Sequence, residues 1–442
     1  MRSIGLDVGR DSAEVAIVGV DGRTGSGGRI RTTPEDLTAF ARTLGPDDRV
    51  VLEATTNTWA IVELLEGHAG QVIVSNPLRT RAIADAKTKT DTIDAATLAE
   101  LLAADYLPAV WQPDAATRAL RRRVAARAAL VAERTRLRNR IAAVLIRNLV
   151  TCPLSDTFGK RGRAWLETVA LPEDEREQVD ATLRLLDGLA VEVGQAEVGI
   201  ARVVVDDARV RRLLTIPGIG PHTAAGLVAL IGDVHRFGRP SKLVGYLGLD
   251  PIVRQSGRRS WTGHISRAGQ GHTRMLLVEA AHAAVRAPGP LRAFYVRVAA
   301  RRGPSIAAVA VARKLAVLAW HLLTHETEYR WAPADLTEGK VRRVELAAGS
   351  PDLRGRARGD GHAVERRRRT RAADRSRLER AETEYVAFVA ERRRSDAAAA
   401  TGERLSGRRP AAPRSPSPHS AVRLGVGRVR GEDTPMEDPP GA

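Results

Sequence analysis

SIGLDVGRDSAEVAIVGVDG, residues 3–22, alternates apolar and polar positions in two runs separated by a polar turn. Alternation at period two marks half-buried strands, so residues 3–8 and 13–20 read as strands. Asp21-Gly22 supplies a tight turn into a third strand near 28–33. In the first strand Ile4, Leu6 and Val8 share one face and Asp7 points to the other. A carboxylate in an apolar strand is costly unless paired or metal-bound, so Asp7 is the first candidate functional residue.

Working outward, residues 34–44 carry a helical pattern, RVVLE (49–53) is a short buried strand, 57–67 is helical and QVIVS (71–75) is another strand. Residues 91–104 are helical again. Three antiparallel strands followed by alternating helices and strands is the order of an RNase H-like α/β fold, although periodicity alone does not separate it from other α/β folds. Glu53 closes its strand and opens the loop EATTNTW. Asp91 and Asp94, in KTKTDTIDAATLAELL, stand at i and i+3 and therefore share a helical face. Clustered carboxylates repel unless a cation lies between them, and Mg²⁺ takes hard oxygen ligands. Two such ions about 4 Å apart would activate an attacking oxygen and stabilise a leaving one on a phosphodiester. Taken singly, each acid has an ordinary reading: Asp91 as an N-cap, Asp94 as a first-turn acid, Glu53 as a loop acid. Asp11 and Glu14 read as turn and solvent-face acids. Lys87 and Lys89, just before the helix, are candidate phosphate contacts.

The chain has 442 residues, 43% of them apolar, a formal net charge of +18 and a pI near 11.0. That length calls for two or three domains plus a tail, and that charge favours a polyanionic partner, since neutralising phosphates releases counterions. Cys152 is the only cysteine, which excludes an intrachain disulfide framework and a cysteine-based zinc site. MRSIGLDVGRDS lacks the pattern of a signal peptide, and no segment reads as approaching the ~20 apolar residues of a membrane span, so a cytoplasmic protein without membrane contact is expected.

Residues 114–150 read as one long helix with ten arginines between Arg118 and Arg147, a single acid, Glu133, and an apolar stripe of Leu130, Leu137, Ile141 and Val144. A second long helix, about 173–205, carries Val179, Leu183, Leu186, Ala190, Val193 and Ile200 near heptad spacing. Together they read as an antiparallel helical hairpin or coiled coil, either a spacer or an arm for dimerisation or nucleic acid. Residues 210–290 read as compact, Gly-rich and helical, and 305–324 as a core helix. In TIPGIGPHTAAGLVALIGD (215–233) a tight turn between apolar helices resembles a helix-hairpin-helix element, whose N–H groups suit a phosphate. Further on, Arg254, Arg258, Arg259, Arg267 and Arg274 crowd a Gly- and Ser-rich loop leading into a helix. A serine among arginines can attack phosphorus while guanidiniums stabilise the charge, and the candidates are Ser256, Ser260 and Ser266, although residue type alone favours a plain polar-loop serine for each. Residues 351–442 hold 21 Arg and no Lys among many Pro, Gly, Ser and Ala, and read as mostly disordered with a helix near 371–394.

These motifs resemble the insertion-sequence-110 (DEDD-type) transposases, also called bridge-RNA-guided recombinases. The resemblance rests on IGLDVG, VLEATTNTW, KTKTDTIDAATLAELL and the block from LTIPGIGPHTA through GLDPIVRQSG to GHISRAGQGHTRMLLVEAA, in the family's order over roughly residues 2–325. It implies a RuvC-like domain (1–112), a coiled-coil linker (113–207), a helical C-terminal transposase domain (208–335) and a tail (336–442) outside the family pattern. It implies the DEDD set at Asp7, Glu53, Asp91 and Asp94, holding Mg²⁺, two ions in the full reading. The family's nucleophile, in a Ser-Gly step after GL-x-P, falls on Ser256; Ser266 is the weaker match. A homo-oligomer, a dimer or tetramer, acting on element and target DNA with a noncoding guide RNA is also implied by the resemblance alone.

The expectation is a DNA transposase in which the four acids hold metal on a DNA phosphate and Ser256 attacks it, the two sets lying in different domains of an assembled site. The alternative is a RuvC-like metal nuclease or Holliday-junction resolvase with water as nucleophile. A non-catalytic nucleic-acid binder would have one or more acids missing, and all four are present. An actin-like or sugar-kinase ATPase, which also opens on IGLDVG, would need a second Asp-Gly phosphate loop that is not evident.

Overall fold

The computed structural model describes residues 1–84, 90–257, 259–266, 269–351 and 361–405, with backbone alone for 361–364, 366–367 and 396–405. The chain divides into two compact units, Met1–Asp114 and Ala115–Ala442.

The first unit contains β1 (Ser3–Val8), β2 (Ser12–Val18), β3 (Thr24–Arg31), α1 (Pro34–Ala41), β4 (Arg49–Glu53), α2 (Thr58–Leu65), β5 (Gln71–Ser75), α3 (Pro77–Ile83) and α4 (Asp91–Ala103). One mixed α/β sheet runs β3-β2-β1-β4-β5. β1, β2 and β3 pair antiparallel, while β1–β4 and β4–β5 pair parallel. The third strand starts four residues before the expected 28, because its glycines (Gly25, Gly27, Gly28) and exposed edge position hide the alternation. Each sheet face buries its own helices. Ile4, Leu6, Val50, Leu52 and Val74 pack with Leu37 of α1 and Ile61, Val62 and Leu65 of α2. On the opposite face Val51 packs with Leu98 and Leu102, and Ala16 and Val18 with Ala95 and Ala99, all from α4.

Gly5 permits that second packing. A Cβ there would lie 2.1 Å from the Ala95 carbonyl oxygen and 2.7 Å from the Ala99 nitrogen, so α4 touches bare backbone. Arg49, at the start of β4, reaches the Leu102 carbonyl at 3.4 Å and pairs with Asp105 at 2.8 Å. The C-terminal end of α4 is therefore tied to the beginning of the strands, and its first turn lies toward the ends of β1 and β4.

Among its described residues the second unit is helical apart from one hairpin. α5 (Ala115–Arg147), α6 (Lys160–Thr168) and α7 (Glu173–Val204) come first, then α8 (Ala208–Leu214), α9 (Pro221–Ile231) and α10 (Pro240–Tyr246). β6 (Pro251–Ser256) and β7 (Arg259–Ile265) follow, then α11 (Gly271–Ala284), α12 (Pro290–Arg302), α13 (Pro304–Thr324), α14 (Ala334–Ala348) and α15 (Gly361–Leu405). α5 and α7 lie side by side and antiparallel: Arg127 pairs with Glu197 at 2.7 Å, Arg147 with Glu175, and Leu137, Ile141 and Val144 pack with Val179, Leu183 and Leu186. Of the expected stripe positions, Ala190 is exposed and Leu130 half-buried.

Three expectations are corrected. The Gly- and Ser-rich loop is the antiparallel hairpin β6–β7, its turn made by Gly257 at φ +56°. The stretch assigned to a mostly disordered tail carries α14, and the helix expected near 371–394 is longer, forming the 45-residue α15. Both helices are anchored: Lys340 and Val344 of α14 are buried, as are Leu378, Ala381 and Tyr385 of α15, and Glu382 receives Arg292 at 2.7 Å. Arg-rich composition hid the length of α15, whose few apolar positions are spaced to face the core. Residues 352–360 and 406–442 of that tail lie outside the described residues. Finally, α13 is long and apolar enough, by length and composition, to cross a membrane, contrary to the reading that no segment approaches this; it is the expected core helix, with Val311, Leu315, Leu318 and Leu322 fully buried among its neighbours.

Candidate active site

The parallel register of β1 and β4 runs Ser3–Arg49 to Leu6–Leu52. Continued by one residue, it sets Asp7 beside Glu53. Both side chains belong to the α4 face, since Asp7 is two residues from Gly5 and Glu53 two from Val51. Asp91 and Asp94 occupy the first turn of α4, at the same end of that face. The fold thus brings the four sequence-selected acids to one end of one sheet face. Among the described residues, however, no three Asp, Glu, His or Cys side chains already stand as a group able to hold a metal ion. Lys87 and Lys89 lie outside the described residues.

Local structure fixes these positions. Thr90 is the N-cap of α4, its hydroxyl accepting from Ile93 N at 3.3 Å, so Asp91 is left inside the first turn rather than acting as the cap. Both aspartates sit where the helix dipole favours negative charge. After Glu53 the chain is turned by the Thr58 hydroxyl, which accepts from Thr55 N at 2.6 Å and donates to the Glu53 carbonyl at 3.2 Å. This fastens the end of β4 to the start of α2.

One further acid joins the row. Glu14, expected on a solvent face, lies directly opposite Asp7 in the antiparallel register, its side chain only 12% exposed and its carboxylate bonded to Arg29. Ala13 and Val15 pack on the α1–α2 side, so Glu14 faces the other side of the sheet, which α4 covers. Only the register with β1 reveals this.

In the second unit, Ser256 ends β6 at the exposed tip of the hairpin, paired with Arg259. Arg254 pairs with Trp261. Ser256 and Arg254 alternate onto one face, and their partners Arg259 and Trp261 share it. Ser260 pairs with Gln255 on the opposite face. Ser266 closes the base of the hairpin: its N donates to the Asp250 carbonyl at 2.8 Å and its hydroxyl to Asp250 Oδ1 at 2.7 Å. Arg274, in the first turn of α11, is half-buried, with Nη1 buried and, among the described residues, lacking a hydrogen-bond partner. Arg258 and Arg267 lie outside the described residues.

The TIPGIGP turn joins α8 to α9 through Gly218 at φ +84°, where a Cβ would lie 2.0 Å from the Ala280 carbonyl. Beside it, a cavity of about 430 Å³ is lined by His222, Thr223, Glu197 and Arg343. His222 contacts Glu197 at 3.1 Å, yet burial and Arg127 hold it below its ordinary pKa. A carboxylate in this cavity opposes the phosphate reading of the turn.

Residues 4–148 match a family described as Transposase, the DEDD type of IS110, and residues 210–296 match the Transposase IS116/IS110/IS902 family. A Pseudomonas aeruginosa PAO1 protein named "Probable family 20 transposase" is 31% identical over 353 residues, covering 75% of this chain and 99% of that protein. A Yersinia enterocolitica transposase for insertion sequence element IS1328 is 27% identical, covering 74% and 98%. A Moraxella bovis pilin gene-inverting protein is 28% identical over 217 residues, covering 47% and 58%.

Proposed function

This chain belongs to the IS110/IS116/IS902 family of transposases, and from that premise we propose how its own residues carry strand cleavage and exchange. It is an insertion-sequence transposase, a DNA-cleaving and recombining enzyme. The sheet order β3-β2-β1-β4-β5, with three antiparallel strands and two added in parallel, supports the RNase H-like (RuvC-like) reading of the first unit.

The observation that carries the site assignment is the convergence of Asp7, Glu53, Asp91 and Asp94 at one end of one sheet face. Their all-oxygen donor set suits a hard divalent cation such as Mg²⁺, two ions in the fullest reading. When bound, that cation would supply Lewis-acid stabilisation to a phosphate. The carboxylates would hold it. Glu14, occupied by Arg29, is not assigned as a ligand.

Ser256 is assigned as the nucleophile because its neighbours suit the task. Its Oγ forms a bond to phosphorus as one phosphorus–sugar-oxygen bond breaks; the serine proton passes to solvent and the departing sugar oxygen is protonated. Arg254 and Arg259 on the same face, with Arg274, stabilise the charge on the non-bridging oxygens. Ser266, whose hydroxyl is donated to Asp250 at the base of the hairpin, stays the weaker candidate. A second sugar hydroxyl then displaces the serine and completes exchange, a reaction in keeping with a relative named for gene inversion. Lys87 and Lys89 are assigned to phosphate contacts. A noncoding guide RNA and a homo-oligomeric assembly belong to the same reading, and the net charge of +18 supports polyanionic partners.

The test reconstitutes exchange from the full-length protein, the element's DNA ends, a target duplex, RNA transcribed from the element's flank, and Mg²⁺. Loss of exchange in Asp7→Ala, Glu53→Ala and Ser256→Ala variants that keep wild-type melting temperatures is expected. Full exchange by Asp7→Ala would refute the metal assignment, and full exchange by Ser256→Ala the nucleophile.

A further inference from the structure

We infer that Trp261 is a stacking platform for an unpaired nucleobase next to the phosphate handled at the hairpin, a positioning residue for single-stranded DNA or RNA. The inference rests on the reading of this hairpin as a nucleic-acid face and adds the kind of strand that it takes. Trp261 stands directly across from Arg254 and on the same face as Ser256 and Arg259. Large aromatic side chains are normally covered, yet Trp261 is 56% exposed. Its six-membered ring lies over Gly263, where a Cβ would come within 2.3 Å of the ring edge. The bare glycine backbone therefore holds the indole in place on one side and leaves a broad aromatic surface open.

The surroundings define the ligand. The exposed guanidiniums of Arg254 and Arg259 suit phosphate oxygens, and the indole between them and the base of the hairpin suits a planar ring. A base inside a duplex has both faces covered by its neighbours, so only an unstacked base can use the indole. A protein partner is disfavoured by the arginines beside it, since the apolar area offered is a single ring. The ordinary role for such a ring is to cover Gly263, stabilising the strand without touching ligand. Trp261→Leu separates the two roles: leucine still covers the glycine and lacks an aromatic face.

The test titrates fluorescein-labelled (dT)12, and a 12-base-pair duplex, with full-length wild type, Trp261→Phe, Trp261→Leu and Arg259→Ala, following anisotropy at several salt concentrations. All variants are first checked for unchanged melting temperature. The stacking role predicts that Trp261→Leu weakens (dT)12 binding roughly tenfold or more with an unchanged salt slope. It also predicts that Trp261→Phe stays near wild type and that duplex affinity is unaffected. Arg259→Ala lowers affinity for both probes and flattens the salt slope. Equal (dT)12 affinity for Trp261→Leu and wild type overturns the inference and leaves the ring as a cover for Gly263. If Arg259→Ala changes neither probe, the hairpin's reading as a nucleic-acid face fails, which is a different outcome from failure of the stacking role alone.

Discussion

Gly5→Ala is the smallest change that should disable the acidic site without touching an acid. The new Cβ would stand 2.1 Å from the Ala95 carbonyl oxygen and 2.7 Å from the Ala99 nitrogen. Ordinary contacts are roughly 3.5 Å, so α4 must withdraw by about 1 Å or more. Both obstructing atoms are backbone, so no rotamer change relieves them. Overpacking of this kind costs about 1–3 kcal/mol. The withdrawn helix carries Asp91 and Asp94, and a misplacement of about 1 Å in a catalytic group costs on the order of 100-fold in rate. Urea unfolding and Mg²⁺-dependent cleavage of the element's end would be measured on the full-length protein. Gly25→Ala on β3 is the control, because nothing lies within 4 Å of its Cβ position. The account predicts loss of cleavage with moderate destabilisation for Gly5→Ala and little effect for Gly25→Ala. Wild-type cleavage by Gly5→Ala would refute the claim that the α4 approach sets the acids' positions.

Other outcomes follow from single contacts. Lys340 donates to the Leu214 and Ile216 carbonyls at 2.7 and 2.8 Å, and burial, with help from Arg343, brings its pKa down to about 8. A lysine depressed on folding binds fewer protons folded than unfolded between about pH 8 and 10.5, so this group makes stability rise with pH across that window, by up to about 1.4 kcal/mol per unit. Chemical denaturation across pH should show that slope in wild type and lose it in Lys340→Met; an unchanged slope would contradict the assignment. Asp48 is held at about 2, chiefly by the Arg2 guanidinium and a 2.8 Å bond from Gly45 N. Its folded pKa is depressed, so its contribution is present above about pH 4 and fades as pH falls toward 2; Asp48→Asn should flatten the acid limb of the denaturation profile. Ser266→Ala should reduce hairpin protection in hydrogen exchange and retain measurable cleavage, whereas Ser256→Ala should do the opposite.

Legibility in the sequence followed burial. Strands buried on both faces, such as Arg49–Glu53 and Gln71–Ser75, declared themselves to the residue, because a short apolar run bounded by turns has one stable use. The pairing of Asp7 with Glu53 was not readable, since register is a property of two strands and not of either alone. Glu14 was misplaced because the β2 sequence does not show that α4 covers its second face. In the hairpin β6–β7, arginine and serine replaced the apolar half of the alternation, so the strand period was present without the contrast that reveals it. α15 was legible only in its middle, near 371–394, because its buried Leu378, Ala381 and Tyr385 are few and the surrounding arginines dominate composition. That Asp91 and Asp94 lie at the same end of the sheet face as Asp7 and Glu53 depends on α4 meeting Gly5, a contact no single segment reveals.

The most direct test of the central claim is to halt the reaction on a nicked or end-mimicking DNA substrate, digest the full-length protein, and map any nucleotide adduct by mass spectrometry. The account predicts a phosphodiester-linked nucleotide on the peptide containing Ser256, formed only with divalent metal and absent in Asp7→Ala. Cut DNA with no protein adduct would contradict it and assign the attack to water.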